Sequence, residues 1–312
     1  MESEDSSLNE KLPVLIIGYG RLENISKLVE ESLSYGASRI FVHLDLANSS
    51  DLRESQLQFV QQMDAKLGQK ISFKVTKENM GVAGAVVSAI DWFFSVERLG
   101  IILEDDLSVG MNTFQFFEAA IPRFNSIERC LLIAGSTFMR ESPCDTNEIM
   151  WTNFPLIWGW ATSAEKWQIL RNMMTRPVPR KWPVSRIRGF LTIGAYKALT
   201  CEVDTWDSPL ALGMWVDRYL CIIPPKNTIS NFGADSIASH TKSSTFPIGN
   251  PIIPFDVSKI SFVEPQEKKI RNTNKKIIAD NFQLHARHFL APLFVQIRGK
   301  DQGNLKRKID GA

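Results

Sequence analysis

Three adjacent carboxylates, Glu104-Asp105-Asp106, close the apolar run Ile101-Ile102-Leu103. Like charges this close repel, and burying an unpaired carboxylate is costly, so something cationic should compensate them. Hard carboxylate oxygens suit Mg²⁺ or Mn²⁺, and such ions are commonly held by one or two carboxylates together with a diphosphate. The plain structural alternative is a solvated strand-to-helix loop in which Asp105 or Asp106 caps the helix. A second group, Trp158-Gly159-Trp160, suits a sugar-binding wall, because pyranose rings present apolar faces to aromatic rings. Its alternative is core packing, the usual place for a Trp. His240 follows Asp235 by five residues and reads as a metal ligand, a phosphate contact or an ordinary loop histidine.

These groups need a scaffold that brings distant residues to one edge. Residues 12–18 read as a buried strand, and 39–44, 71–75 and 100–103 as further strands. Helical patterns lie between them at residues 24–34, 55–67 and from about 81 to 94. This βαβαβαβ alternation predicts an α/β fold with a mostly parallel, Rossmann-like sheet flanked by helices. Ligands of such sheets bind beyond the carboxyl ends of the strands. Gly18-Tyr19-Gly20-Arg21, Asp45, Asn79 and the acidic triplet all fall at those ends.

The second half is less regular. Residues 131–135 and 221–225 read as strands, 164–174 and 205–220 as helical, and 143–154 and 231–241 as loops. Residues 268–289 form a basic amphipathic helix, suited either to lie on an anionic membrane surface or to pack across the main domain with a solvated basic face. The expected division is a polar leader over 1–11, a catalytic sheet domain over 12–245 and an extension over 246–312.

Composition narrows the classes. The chain has 312 residues, 44% of them hydrophobic and 22% charged, which is enough apolar material for a large core and excludes wholesale disorder. Thirty-six Lys and Arg against 34 Asp and Glu give a net charge of +2, so bulk charge does not point to nucleic acid. The four cysteines, at 130, 144, 201 and 221, form no C-x-x-C pair and fit a reducing compartment. The acidic start MESEDSSLNE is no signal peptide, and no apolar run reaches membrane-spanning length, so the expected location is cytoplasmic.

The run IILEDDLSVGMNTFQFF resembles the metal-binding region of glycosyltransferases with the GT-A fold. These include the animal N-acetylglucosaminyltransferase I group and bacterial nucleotide-sugar transferases of surface polysaccharide synthesis. LPVLIIGYGR, FVHLDLAN, FPLIWGWATSAEKW and SNFGADSIASHT extend the resemblance over about residues 12–241. It implies metal-dependent, inverting transfer from a nucleotide-diphosphate sugar, most commonly UDP-linked, to a glycan or lipid-linked hydroxyl.

The resemblance also implies residue roles. Asp106 would bind Mn²⁺ or Mg²⁺, while Glu104 and Asp105 would face the donor sugar and ribose. Tyr19 and Arg21 would lie around the base and diphosphate, and Asp45 would accept a hydrogen bond from the base. Asn79 and Gly81 would approach the nucleotide. Asp207, after Trp206, would be the base, with Asp204 and Asp217 as competitors. For Asp45, Arg21, Asn79 and Asp207 the alternatives are a cap, a surface ion pair, a helix cap and a dipole-favoured N-terminal Asp.

The chain also departs from the pattern. Ser208 stands where a second acidic residue is expected, so the acceptor does not carry over. The runner-up is a nucleotidyltransferase making nucleotide sugars, but Gly18-Tyr19-Gly20-Arg21 is too short and too poor in Gly for its loop. A non-catalytic glycan-binding module is the remaining alternative.

Overall fold

The computed structural model describes residues 11–139, 147–175, 206–233 and 251–280. Ten strands are described: β1 (Val14–Gly18), β2 (Ile40–Leu44), β3 (Ile71–Val75), β4 (Leu99–Glu104), β5 (Leu107–Val109), β6 (Cys130–Ala134), β7 (Met150–Thr152), β8 (Trp160–Ser163), β9 (Leu220–Ile223) and β10 (Ile229–Asn231). The helices are α1 (Leu22–Tyr35), α2 (Ser50–Leu67), α3 (Gly81–Phe94), α4 (Met111–Ser126), α5 (Ala164–Thr175), α6 (Asp207–Asp217) and α7 (Glu267–Asp280).

Eight strands form one sheet in the order β3-β2-β1-β4-β8-β6-β9-β7. The first four are parallel, as the βα alternation requires. β8 runs antiparallel between β4 and β6, β9 runs parallel to β6, and β7 closes the far edge antiparallel to β9. β1 and β2 are buried along their whole length, which is why they read as continuous apolar runs.

Successive side chains of a strand point to opposite faces. Val14 and Ile16 of β1 join the core under α1, α2 and α4, whereas Leu15 and Ile17 join the core under α3, α5 and α6. β4 divides likewise, with Ile101 and Leu103 on the α1 side and Ile102 on the α3 side. Four strands escape the periodicity reading: β5 follows the acidic triplet, β7 lies inside the expected loop 143–154, β8 begins at Trp160 of the aromatic run, and β10 ends at Asn231, where the expected loop 231–241 begins.

The described part of the expected basic helix, Glu267–Asp280, packs rather than projects, and residues 281–289 lie outside the described residues. Ile270 and Ile277 of α7 are 2% and 6% exposed, and Asn274 accepts through Oδ1 from the Thr152 hydroxyl of β7 at 2.7 Å. Lys268, Arg271 and Lys275 stay outward. Among the described residues no helix is long and apolar enough to cross a membrane. Cys130 and Cys221 are buried thiols, and burial pushes Cys130 up to about 12. Cys144 and Cys201 lie outside the described residues.

Candidate active site

β4 ends at Glu104, and the turn that follows divides the acidic triplet. Asp105 turns to the α1 side. Its Oδ2 accepts from the backbone N–H of Tyr19 at 2.8 Å and of Arg21 at 3.4 Å, and its Oδ1 accepts from Arg21 Nη1 at 3.0 Å. Asn24 Nδ2 donates to the carbonyls of Asp105 and Leu107 at 2.8 and 2.9 Å. Asp105 therefore ties the β1–α1 loop to the end of β4. This is a positioning task that the triplet's sequence does not display.

Glu104 turns the other way. Its carboxyl is pushed well above the usual range, first by burial and then by the charges of Asp106, Asp105 and Asp207. Asp106 rises to about 6, from burial and Asp105, with Arg21 and the Asn231 side chain pulling it partway back. Neither Asp105 nor Asp106 caps a helix; Gly110 occupies the N-cap of α4, with β5 intervening. The strand end thus holds two carboxyls whose charged forms are destabilised, beside a loop that carries an arginine.

Asp45, at the end of β2, is 5% exposed and occupied within the fold. Its Oδ1 accepts from Met80 N–H at 2.9 Å and the Thr76 hydroxyl at 3.0 Å, and its Oδ2 accepts from Gly81 N–H at 3.2 Å. It supplies the anion at the start of α3, where Met80 is the N-cap without a side-chain bond. Asn79 is not the cap; its Nδ2 donates to Leu46 O at 3.1 Å. Gln56, fully buried, stitches these loops together by donating to the carbonyls of Tyr19 and Asp45 at 2.7 and 2.8 Å. The sequence offered no signal for Gln56, since it is one polar residue on a polar helix.

The aromatic segment splits into two roles. Trp160 is 1% exposed and stacks on Trp206 at 6.0 Å, so it belongs to the core and corrects the expectation of an open wall at that position. Trp206 directly precedes Asp207, so this stacking anchors the start of α6 and sets Asp207 on the Glu104 side of the sheet. Gly159 has φ +61, and a Cβ there would stand 2.2 Å from Ile229 Cδ1 and 3.3 Å from Leu103 Cδ2; only glycine fits without displacement. β8 pairs Trp160 with Ile102, and Trp158, two residues before that strand, packs against the α1-side core. The Trp158 ring is partly exposed and meets Phe138 at 4.2 Å. Phe138 has φ +51, a conformation that non-glycine residues adopt only under constraint, and it was not among the residues expected at the site.

The opening of the late loop also reaches the triplet, through β10 pairing with β5. His240 and Asp204 lie outside the described residues. A groove of about 760 Å³ flanks Arg21 on the α1 side, lined by Glu23, Asn24, Ser55, Ser108 and Phe232 among others. Among the described residues no three His, Cys, Asp or Glu converge as a ready-made metal cage. The donor chemistry does fit a hard cation carried by phosphates, since Asp106 offers carboxylate oxygens in a place where a positive charge relieves repulsion.

No protein-family model and no curated protein matches the chain. Among solved structures it is similar to the mannosyltransferase PcManGT from Pyrobaculum calidifontis in complex with GDP-Man and Mn²⁺. That match has 10% identity and a TM-score of 0.36, over 67% of this chain and 70% of that one. It is also similar to the glycosyltransferase GlyE of Streptococcus pneumoniae TIGR4, with 13% identity and a TM-score of 0.36, over 94% of this chain and 66% of that one. Likenesses this distant assign neither ligand nor activity to this chain.

Proposed function

We propose that this chain is a metal-dependent, inverting glycosyltransferase that uses a nucleotide-diphosphate sugar. The observation that carries the reading is the end of β4, where Glu104 and Asp106 are destabilised as anions and Asp207 adds charge from α6. Asp106 holds Mn²⁺ or Mg²⁺, with His240 as a further candidate ligand. When bound, the cation supplies charge stabilisation for the departing diphosphate. The β1–α1 loop, with Tyr19 and Arg21, lies along the nucleotide, and Glu104 faces the donor sugar. Asp207 takes the proton from the acceptor hydroxyl as that oxygen attacks the anomeric carbon, so one displacement inverts the configuration. Trp158 offers its ring to the acceptor sugar. The donor is proposed as UDP-linked and the acceptor as a glycan or lipid-linked hydroxyl of surface polysaccharide synthesis.

The test is nucleotide binding and donor hydrolysis with and without Mn²⁺, over UDP- and GDP-sugars, for the wild type and Asp106→Ala. Mn²⁺ should strengthen binding in the wild type, and the variant should lose that gain. Binding that ignores both metal and substitution removes the metal role, and glycan binding without nucleotide favours a non-catalytic module.

A further inference from the structure

The chain leaving β10 arrives over Asp106, because β10 pairs with β5 with Asn231 opposite Leu107. Phe232 N–H donates to the Asp106 carbonyl at 3.0 Å, and Gly233 N–H donates to Asn231 Oδ1 at 2.8 Å. Gly233 also stands against the carboxylate itself. A Cβ built there would lie 2.3 Å from Asp106 Oδ2, 3.0 Å from Cγ and 3.1 Å from Cβ. Real atoms do not approach that closely, so any side chain at 233 must displace the carboxylate or the backbone. The Asn231 side chain is 6% exposed and neutral, accepts from the N–H of Gly233, which abuts this carboxylate, and favours the charged form of Asp106.

We propose that Asn231 and Gly233 are positioning residues for Asp106. Asn231, held by the Gly233 N–H, fixes the orientation of the carboxylate, and Gly233 leaves the space that the carboxylate fills. The functional consequence rests on reading Asp106 as a cation ligand; the geometric claim does not. A carboxylate that binds a metal loses about 10–100-fold in affinity when its orienting partner is removed. A polar residue and a glycine with no reactive group of their own would then set the metal affinity of a strand more than a hundred residues away in sequence.

The experiment uses the full chain as wild type, Gly233→Ala and Asn231→Ala. Mn²⁺ binding is followed by electron paramagnetic resonance in saturating UDP and, separately, GDP, and metal-free melting is recorded for each. Both variants should bind Mn²⁺ about tenfold or more weakly, at metal-free melting temperatures close to the wild type. A purely structural role would instead lower the melting temperature and leave the affinity of the folded fraction intact. Crystal structures of the two variants supply the second arm, with the Asp106 carboxylate expected to be displaced in each. Unchanged Mn²⁺ affinity in both variants, or a carboxylate that has not moved, overturns the proposal. If the wild type binds no Mn²⁺ with either nucleotide, the cation reading fails by itself, and the carboxylate position in the crystals still decides the positioning claim.

Discussion

Glu104 and Asp105 are chain neighbours with opposite fates, because Glu104 is the last residue of β4 and Asp105 lies in the turn that follows it. Asp105 meets Arg21 at 3.0 Å, whereas Glu104 meets further negative charge. The same side carries Asp207, and its proposed role makes a sharp prediction. Asp207→Asn should lower kcat about 10²- to 10⁴-fold while donor binding by calorimetry stays within about twofold. Full turnover in that variant would remove Asp207 as the base. A second residue-scale prediction concerns His43, which is fully buried with both ring nitrogens unpartnered. Burial, and then Lys74, lower its pKa from 6.5 to about 3. Above pH 6.5 it is neutral whether folded or unfolded. Below that, the unfolded chain takes up a proton that the folded chain refuses, so stability falls as pH drops toward 3. His43→Leu should therefore gain on the wild type as pH is lowered from 7 to 4 in urea unfolding, and a constant difference would show that His43 does not titrate this way.

Each loop at the site is held by a neighbouring element more than by its own residues. α3 begins without a cap of its own and draws on Asp45 from the end of β2. Asp45→Ala should leave the Met80 and Gly81 N–H groups unpaired and cost about 1–3 kcal/mol, read from the urea midpoint. Amide exchange at the first turn of α3 should speed up at the same time, and unchanged exchange would contradict this capping role. The sheet core was legible at this scale because β1, β2 and β4 are largely buried apolar runs, and these and β3 are separated by helical periodicity. β5, β7, β8 and β10 were not, since strands of three and four residues carry too few positions to show a period. Trp160 shows the limit most clearly. Its side chain is aromatic whether it lines a cleft or a core, and only its stacking on Trp206 and its tilted contact with Trp167 decide for the core.

At the scale of the molecule, α7 ties residues far along the chain to the sheet edge. Asn274 joins Thr152 and Asn153 of the β7 region, and Trp151 Nε1 donates to Val263 O at 3.0 Å. Ile270 contributes to the same core as Val14 and Phe114. Ile270→Ala should therefore cost about 2–4 kcal/mol and lower a single unfolding transition. A separate early transition for α7 would show that it is an independent attachment.

What the sequence by itself determined was the parallel half of the sheet, the edge at which its strands end and the acidic triplet on that edge. Those features follow from local periodicity and residue type, which depend on near neighbours in the chain. Only the tertiary structure decided which carboxylates are spoken for. It gave Asp45 to α3 and Asp105 to the β1–α1 loop, left Glu104 and Asp106 short of compensating charge, and brought Asn231 and Gly233 against Asp106. The reason is physical: a carboxylate's state depends on the burial and partners around it, and here those partners come from segments that only the packed sheet makes adjacent.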